Sequence, residues 1–266
     1  MEKLNYCTAR CNGVDLRYAL CGPENGKKVV LLHGWGCSMQ LMQPVADALC
    51  QQLRVLLVDF PAHGGSGRPP QPWGVPDFAE ALAQLLRQLA FVPCSAVAHS
   101  FGARVALYLA AEQPALFSRL VLTGAAGLRK PSTGEADKRS RQFQQIKKLT
   151  GALRGTRVLA PLADRAEEAA VQKYGSEDYK ALDPELRKTF VKVVNQDLSG
   201  CLPRVKQPTL LLWGEKDDAT PLWMAQRMER EIPDCGLVVL QGGTHFAYLE
   251  QIGRFCLITR QFLLGA

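Results

Sequence analysis

The chain has 266 residues, with 32 Lys and Arg against 25 Asp and Glu and a formal net charge of +7. That length suits one large domain, or one domain carrying an insertion, with a sizeable core. No run approaches the ~18 apolar residues of a membrane span, and the polar start MEKLNYCTAR holds no apolar signal region, so a cytoplasmic protein without a membrane span is expected.

The nine cysteines (Cys7, Cys11, Cys21, Cys37, Cys50, Cys94, Cys201, Cys235 and Cys256) are scattered, odd in number and never spaced as C-x-x-C. They read as reduced thiols, not as a disulfide framework or a zinc site.

In chain order, residues 4–21 predict two short strands around Asn12-Gly13, a dipeptide suited to a tight hairpin turn. KKVVLLHGWG is an apolar strand running into a glycine turn, and LRVLLVDFPAHGGSG repeats that design. DFAEALAQLLRQLA places Phe78, Leu82, Leu85, Leu86 and Leu89 at helical spacing. CSAVAHS is a strand that ends on Ser100, and a helical run with Val105, Leu107 and Leu109 starts at once. RLVLTGAAG is a further strand; QPTLLLWGEKDDATP and GLVVLQGGTHF are strand–loop pairs. A final helix over about 246–264 carries Phe246, Leu249, Phe255, Leu257, Ile258 and Phe262. Strands alternating with helices predict an α/β fold, a mostly parallel sheet with helices on both faces. Ligands of such sheets bind beyond the carboxyl ends of the strands, so the loops there are where chemistry is sought.

Residues 128–203 interrupt the alternation: they are charged and helix-rich, with no clear strand. The strongest helix is DPELRKTFVKVVNQDL, with Asp183 as N-cap, Pro184 in the first turn, and Leu186, Phe190, Val193 and Val194 on one face. The expected organisation is a core of residues 1–127 and 204–266 with a helical lid inserted between. Residues 128–200 hold 15 Lys and Arg against 10 Asp and Glu. Acids are interleaved throughout, which suits a solvated helical surface, while the excess leaves room for an anionic partner.

Ser100 sits on a strand-to-helix turn, where a nucleophile stands clear of the sheet. Such a turn is sharp, so the residues two away must be small, as Ala98 and Gly102 are. The Phe101 N–H opens the helix toward the same space and suits an oxyanion. The pentapeptide A-H-S-F-G resembles the G-x-S-x-G nucleophile elbow of the α/β-hydrolase family, with Ala98 in place of the first glycine; the likeness covers nearly the whole chain.

The resemblance implies the remaining roles. HGWG (33–36) is similar to the family's oxyanion-loop motif; Trp35 N–H is then the second donor, His33 is structural, and Cys37 is a thiol close to this loop. DFPAHGGS resembles the family's D-x-P-G-x-G-x-S loop, which makes Asp59, His63 and Ser66 structural. In G-x-x-D-x-x-x-P the acid is Asp217, with Asp218 as the other carboxylate to weigh. His245, after the last strand, fits the family's terminal histidine; of the other three, His33 and His63 are placed as structural, and His99 should point away from the nucleophile. Serine, acid and histidine follow in the order this fold imposes.

The expected function is a serine hydrolase that cleaves a carboxylic ester or thioester of a small molecule through an acyl-enzyme on Ser100. An acyltransferase with the same triad, a carbon–carbon bond hydrolase and a ligand-binding receptor on the same fold are the alternatives. Candidate pocket residues are Trp35, Phe101, Phe190, Trp223 and Tyr248. No metal, organic cofactor or nucleic acid is expected, and the oligomeric state is left open.

Overall fold

The computed structural model describes residues 4–129, 134–153 and 159–265. Asn12 and Gly13 take φ of 46° and 77°, so the chain turns back tightly and the first two strands pair as a hairpin. The strands are β1 (Tyr6–Cys11), β2 (Val14–Cys21), β3 (Lys27–Leu32), β4 (Leu53–Val58), β5 (Cys94–His99), β6 (Phe117–Thr123), β7 (Thr209–Gly214) and β8 (Cys235–Leu240). The helices are α1 (Met39–Leu49), α2 (Val75–Gln88), α3 (Phe101–Glu112), α4 (Gly134–Leu153), α5 (Ala160–Tyr174), α6 (Glu177–Lys180), α7 (Pro184–Asn195), α8 (Leu222–Glu231), α9 (Ala247–Glu250) and α10 (Ile252–Leu264).

One sheet holds all eight strands in the order β1-β2-β4-β3-β5-β6-β7-β8. Strands β3 to β8 run parallel, and β2 lies antiparallel to both β1 and β4. Alternation decides which face each residue serves. Val30, Leu32, Ala96, Ala98, Leu120 and Leu122 join one buried cluster with α2, α3 and α8. Val29, Leu31, Val97 and Val121 point the other way, into a second cluster with α1 and α10. Because both faces are covered, the strands read as continuous apolar runs. The register sets Leu32 opposite Ala98 and Ala98 opposite Leu122, so the loops after β3, β5 and β6 leave the sheet side by side.

His33 joins the ends of two strands. Its Nδ1–H donates to the Gly34 carbonyl at 2.7 Å, and its Nε2 accepts the Phe60 N–H at 3.0 Å. Both ring nitrogens are used by the neutral form, and the side chain is fully buried. Burial, and after it the nearby His63 imidazole, push its pKa down to about 3.

The chain divides into two compact units, residues 1–128 with 192–266, and residues 129–191. The second unit is shorter than the 128–203 insertion expected from sequence. Residues 192–203 belong to the first unit, because Val193, Leu198, Cys201 and Leu202 bury in the cluster around α3. There Arg104, itself buried, donates through Nη1 to the carbonyls of Val193 and Gln196, both at 2.6 Å. These carbonyls lie at the C-terminal end of α7; Val193 O also accepts the Gln196 N–H at 3.3 Å, and the guanidinium caps both. Asp183 caps the other end of α7 as expected, its Oδ1 accepting the N–H groups of Glu185 (3.1 Å) and Leu186 (3.0 Å). Val194 does not share the buried face assigned to it; it is exposed, and Thr189 is buried instead.

Within the second unit, Tyr179 is buried between Phe143 and Phe190, each with its ring centre 6.0 Å away. A cavity of about 560 Å³ there is lined by Asp164, Glu167, Glu168 and Glu185 against Arg187 and Lys188. The single C-terminal helix expected over 246–264 is two, α9 and α10, broken at Gln251 (φ −122°, ψ 44°). Of the apolar residues along it, Phe246 and Leu257 are exposed. No helix among the described residues is long and apolar enough to cross a membrane.

Replacing Arg104 with Met should lower unfolding free energy by about 1–3 kcal/mol, since it strips one buried and one part-buried carbonyl of a charged donor. Urea denaturation measures this, and an unchanged midpoint would show that the cap carries no weight. A second expectation concerns acid. An unfolded histidine takes up a proton near pH ~6.5, whereas folded His33 does so only near pH 3. Between these values the unfolded chain binds the extra proton, so the contribution is whole above the upper value and lost as pH falls. The melting temperature should fall from pH 7 to 4.5, and more shallowly in His33→Gln. Parallel slopes in the two proteins would remove His33 from the account.

Candidate active site

The turn between β5 and α3 places Ser100. Its backbone has φ 51° and ψ −108°, a conformation that costs a non-glycine residue on the order of 1–3 kcal/mol. The surroundings hold it there. Ser100 N–H donates to Thr123 O at 3.1 Å, and Ser100 O accepts the N–H groups of Arg104 and Ala126, both at 3.1 Å. The helix start presses on the neighbouring strand: a Cβ on Gly102 would lie 2.7 Å from the carbonyl oxygens of Leu32 and His33. Only glycine fits that approach. Phe101 is the first residue of α3, so its N–H has no acceptor within the helix.

The loop after β3 lies against this turn. A Cβ on Gly34 would come within 3.3 Å of the Ser100 Cβ. Cys37 N–H donates to Gly34 O at 3.3 Å and closes a turn over Trp35 and Gly36. The half-buried Trp35 ring meets Phe101 edge-on at 5.2 Å and His63 at 4.9 Å. Cys37 lines a groove of about 450 Å³ with Gly36, Ser38, Gln40, Leu41 and Gly64.

The loops after β7 and β8 bring in Asp217 and His245. Asp217 is buried and its Oδ2 lies 2.9 Å from His245 Nδ1. A carboxylate only accepts, so Nδ1 carries the proton and Nε2 is left with its lone pair. Thr220 donates to the same carboxylate twice, through N–H to Oδ1 and through Oγ1 to Oδ2, each at 2.8 Å. Burial raises the Asp217 pKa, but the hydrogen bonds from His245 and Thr220 outweigh it and hold the carboxyl below the ordinary carboxylate range. Asp218, its neighbour in sequence, is exposed. Gly124, with φ +52°, follows the strand that bonds Ser100; a Cβ there would sit 3.0 Å from the His245 ring and 3.1 Å from Asp217 Oδ2. The missing side chain is the space in which the pair lies. His245 is partly exposed, and no hydrogen bond from Ser100 to its Nε2 is present among those described.

Asp59, His63 and Ser66 brace the loop after β4. Asp59 accepts the N–H groups of Met39 (2.7 Å) and Gly65 (2.8 Å), Ser66 Oγ donates to Asp59 O, and His63 Nδ1–H donates to Pro61 O at 2.9 Å. Thr220 and Gly124 escaped the sequence reading. The spacing D-x-x-T, which lets a carboxylate fold back on the N–H three residues on, was the available sign of the first.

The pocket candidates scatter. Tyr248 is fully buried, packed on Phe255 and the second core cluster, and so is core and not pocket lining. The Phe101 ring is likewise core, between Trp35, Phe60 and Phe78. Trp223 is half-buried on α8 against the first cluster. Phe190 lies in the second unit against Tyr179.

Known proteins share this architecture. A pimeloyl-[acyl-carrier protein] methyl ester esterase of Neisseria meningitidis serogroup C is 29% identical, over 91% of this chain and 96% of its own. A hydrolase from Pseudomonas aeruginosa superposes with a TM-score of 0.75 at 23% identity, covering all of this chain and 99% of the other. A meta-cleavage product hydrolase from Pseudomonas fluorescens gives 0.71 at 23% identity, covering 96% of both chains. Residues 29–256 match the alpha/beta hydrolase family, and the chain belongs to it.

Proposed function

We propose that Ser100, His245 and Asp217 are the catalytic residues of a serine hydrolase that cleaves a carboxylic ester or thioester of a small molecule. The observation that carries this reading is the Asp217–His245 hydrogen bond standing over Gly124, beside a serine held at positive φ. His245 Nε2 takes the proton of Ser100 Oγ as that oxygen adds to the substrate carbonyl. Asp217 fixes the tautomer and stabilises the imidazolium that forms. The N–H groups of Trp35 and Phe101 receive the oxyanion, where each such donor contributes about a hundred- to a thousand-fold in rate. His245 then returns the proton to the leaving alcohol or thiol, and water, deprotonated by the same nitrogen, cleaves the acyl-enzyme.

The relative in Neisseria is named for a methyl ester on an acyl-carrier protein. That name, with the excess of Lys and Arg in residues 128–200, supports an anionic or carrier-presented acyl ester as the substrate. We read residues 129–191 as a lid that sizes the acyl chain, and the cysteine pattern as that of a cytoplasmic enzyme. The fold shared with a meta-cleavage product hydrolase keeps carbon–carbon bond hydrolysis as the second reading.

A ladder of p-nitrophenyl esters, short to long acyl, tests the proposal. Ser100→Ala should lose on the order of a million-fold in turnover, and full activity in that variant would end the reading. Asp217→Asn should cost about ten-thousand-fold and Asp218→Asn little; the reverse ranking would move the acid to Asp218. Deleting residues 130–190 should alter the preferred chain length or abolish activity, whereas an unchanged profile would mean that the segment is no lid.

A further inference from the structure

One imidazole beside the proposed nucleophile has no part in that mechanism. His99 is 1% exposed. Its Nε2 lies 3.0 Å from the backbone carbonyl oxygen of His245. A carbonyl only accepts, so Nε2 carries the proton and donates it. The ring packs 4.6 Å from the His245 ring, 4.8 Å from Tyr248 and 5.2 Å from Phe246. Its other nitrogen faces the loop after β3, where a Cβ on Gly34 would lie 2.9 Å from Nδ1. Burial, and then the neighbouring His245, lower its pKa to about 3, so the ring is neutral and the donor stays in place at working pH.

His99 thus touches three loops: its own by covalent continuity with Ser100, the His245 loop by a hydrogen bond, and the Gly34 loop by contact. Asp217 holds the His245 ring at one nitrogen only, and a ring held at one point can pivot. We infer that His99 is a positioning residue, which pins the His245 backbone to the residue next to Ser100 and so keeps base and nucleophile in register. The inference rests on the triad reading above. Because His99 and Ser100 are consecutive, a shift of the elbow carries the His245 anchor with it. Misplacing reacting groups by about 1 Å can cost a hundred-fold, which is the scale at stake.

The test compares His99→Phe, which keeps a ring of similar size but no donor, with His99→Gln, whose amide N–H can reach the same carbonyl. His99→Met is a second donor-free variant should the Phe protein fail to fold. On the p-nitrophenyl ester that the wild type prefers, the donor-free variant should lose about thirty-fold in kcat with KM within about two-fold, and His99→Gln should stay within about three-fold. Wild-type kcat without the donor, or equal losses in Phe and Gln variants, would overturn the assignment and leave only a packing role. Proton NMR supplies a readout free of turnover: the His245 Nδ1–H resonance, identified by its disappearance in His245→Gln. It should persist in His99→Gln and broaden or shift without the donor; an unchanged resonance without the donor would also overturn the inference. If the wild type cleaves no p-nitrophenyl ester yet the resonance responds in this way, the positioning role stands and it is the small-ester substrate reading that falls.

Discussion

The backbone of Ser100 is the constraint on which the other parts depend. A residue at φ 51° is unfavourable alone and persists only where neighbours over-determine it. Three backbone hydrogen bonds, to Thr123, Ala126 and Arg104, and the approach of Gly102 to the carbonyls of β3 supply that determination. The same contacts tie together the ends of β3, β5 and β6. The half-buried serine stands at the rim of the sheet, which two buried clusters hold from either side.

The polar groups around it form a graded series of environments. His33 and His99 are buried and kept neutral, with their hydrogen bonds spent on backbone. Asp217 is buried yet kept charged, because three donors converge on two oxygens. His245 alone of these keeps part of its ring open to solvent. Fixed dipoles around one accessible base are what a proton-transfer site requires, since the surroundings need not reorganise when charge develops.

The fold was largely legible because its signals are local. The Asn12-Gly13 turn, the apolar runs of β3 to β7 and the Ala98/Gly102 clearance each follow from neighbouring residues. The choice of Asp217 over Asp218 came from a motif's spacing, and the structure shows the physical difference: one carboxylate is buried on His245, the other faces solvent. What was not legible depends on contacts distant in sequence. Gly124 is needed only because a ring from residue 245 occupies its missing side chain, and no pattern near Gly124 announces that. Tyr248 reads as pocket lining from sequence because an aromatic three residues from the proposed base can face either way; α9 turns it into the core. Residues 192–203 read as part of the insertion from sequence because Lys192, Asn195, Gln196 and Asp197 give them a polar character, while Val193, Leu198, Cys201 and Leu202 return to the cluster around α3.

Where the chain leaves and re-enters the first unit, it is sewn shut. Leu198 N–H donates to Gly127 O at 2.8 Å, and Arg104 grips the carbonyls of Val193 and Gln196. The two ends of the intervening segment are therefore fixed by the core itself and not by the segment's own packing. Such a seam uncouples two histories: residues 129–191 can drift, lengthen or be exchanged for a foreign sequence while the elbow keeps its shape. On the proposed lid reading, a scaffold built this way can change what it acts on without altering how it acts.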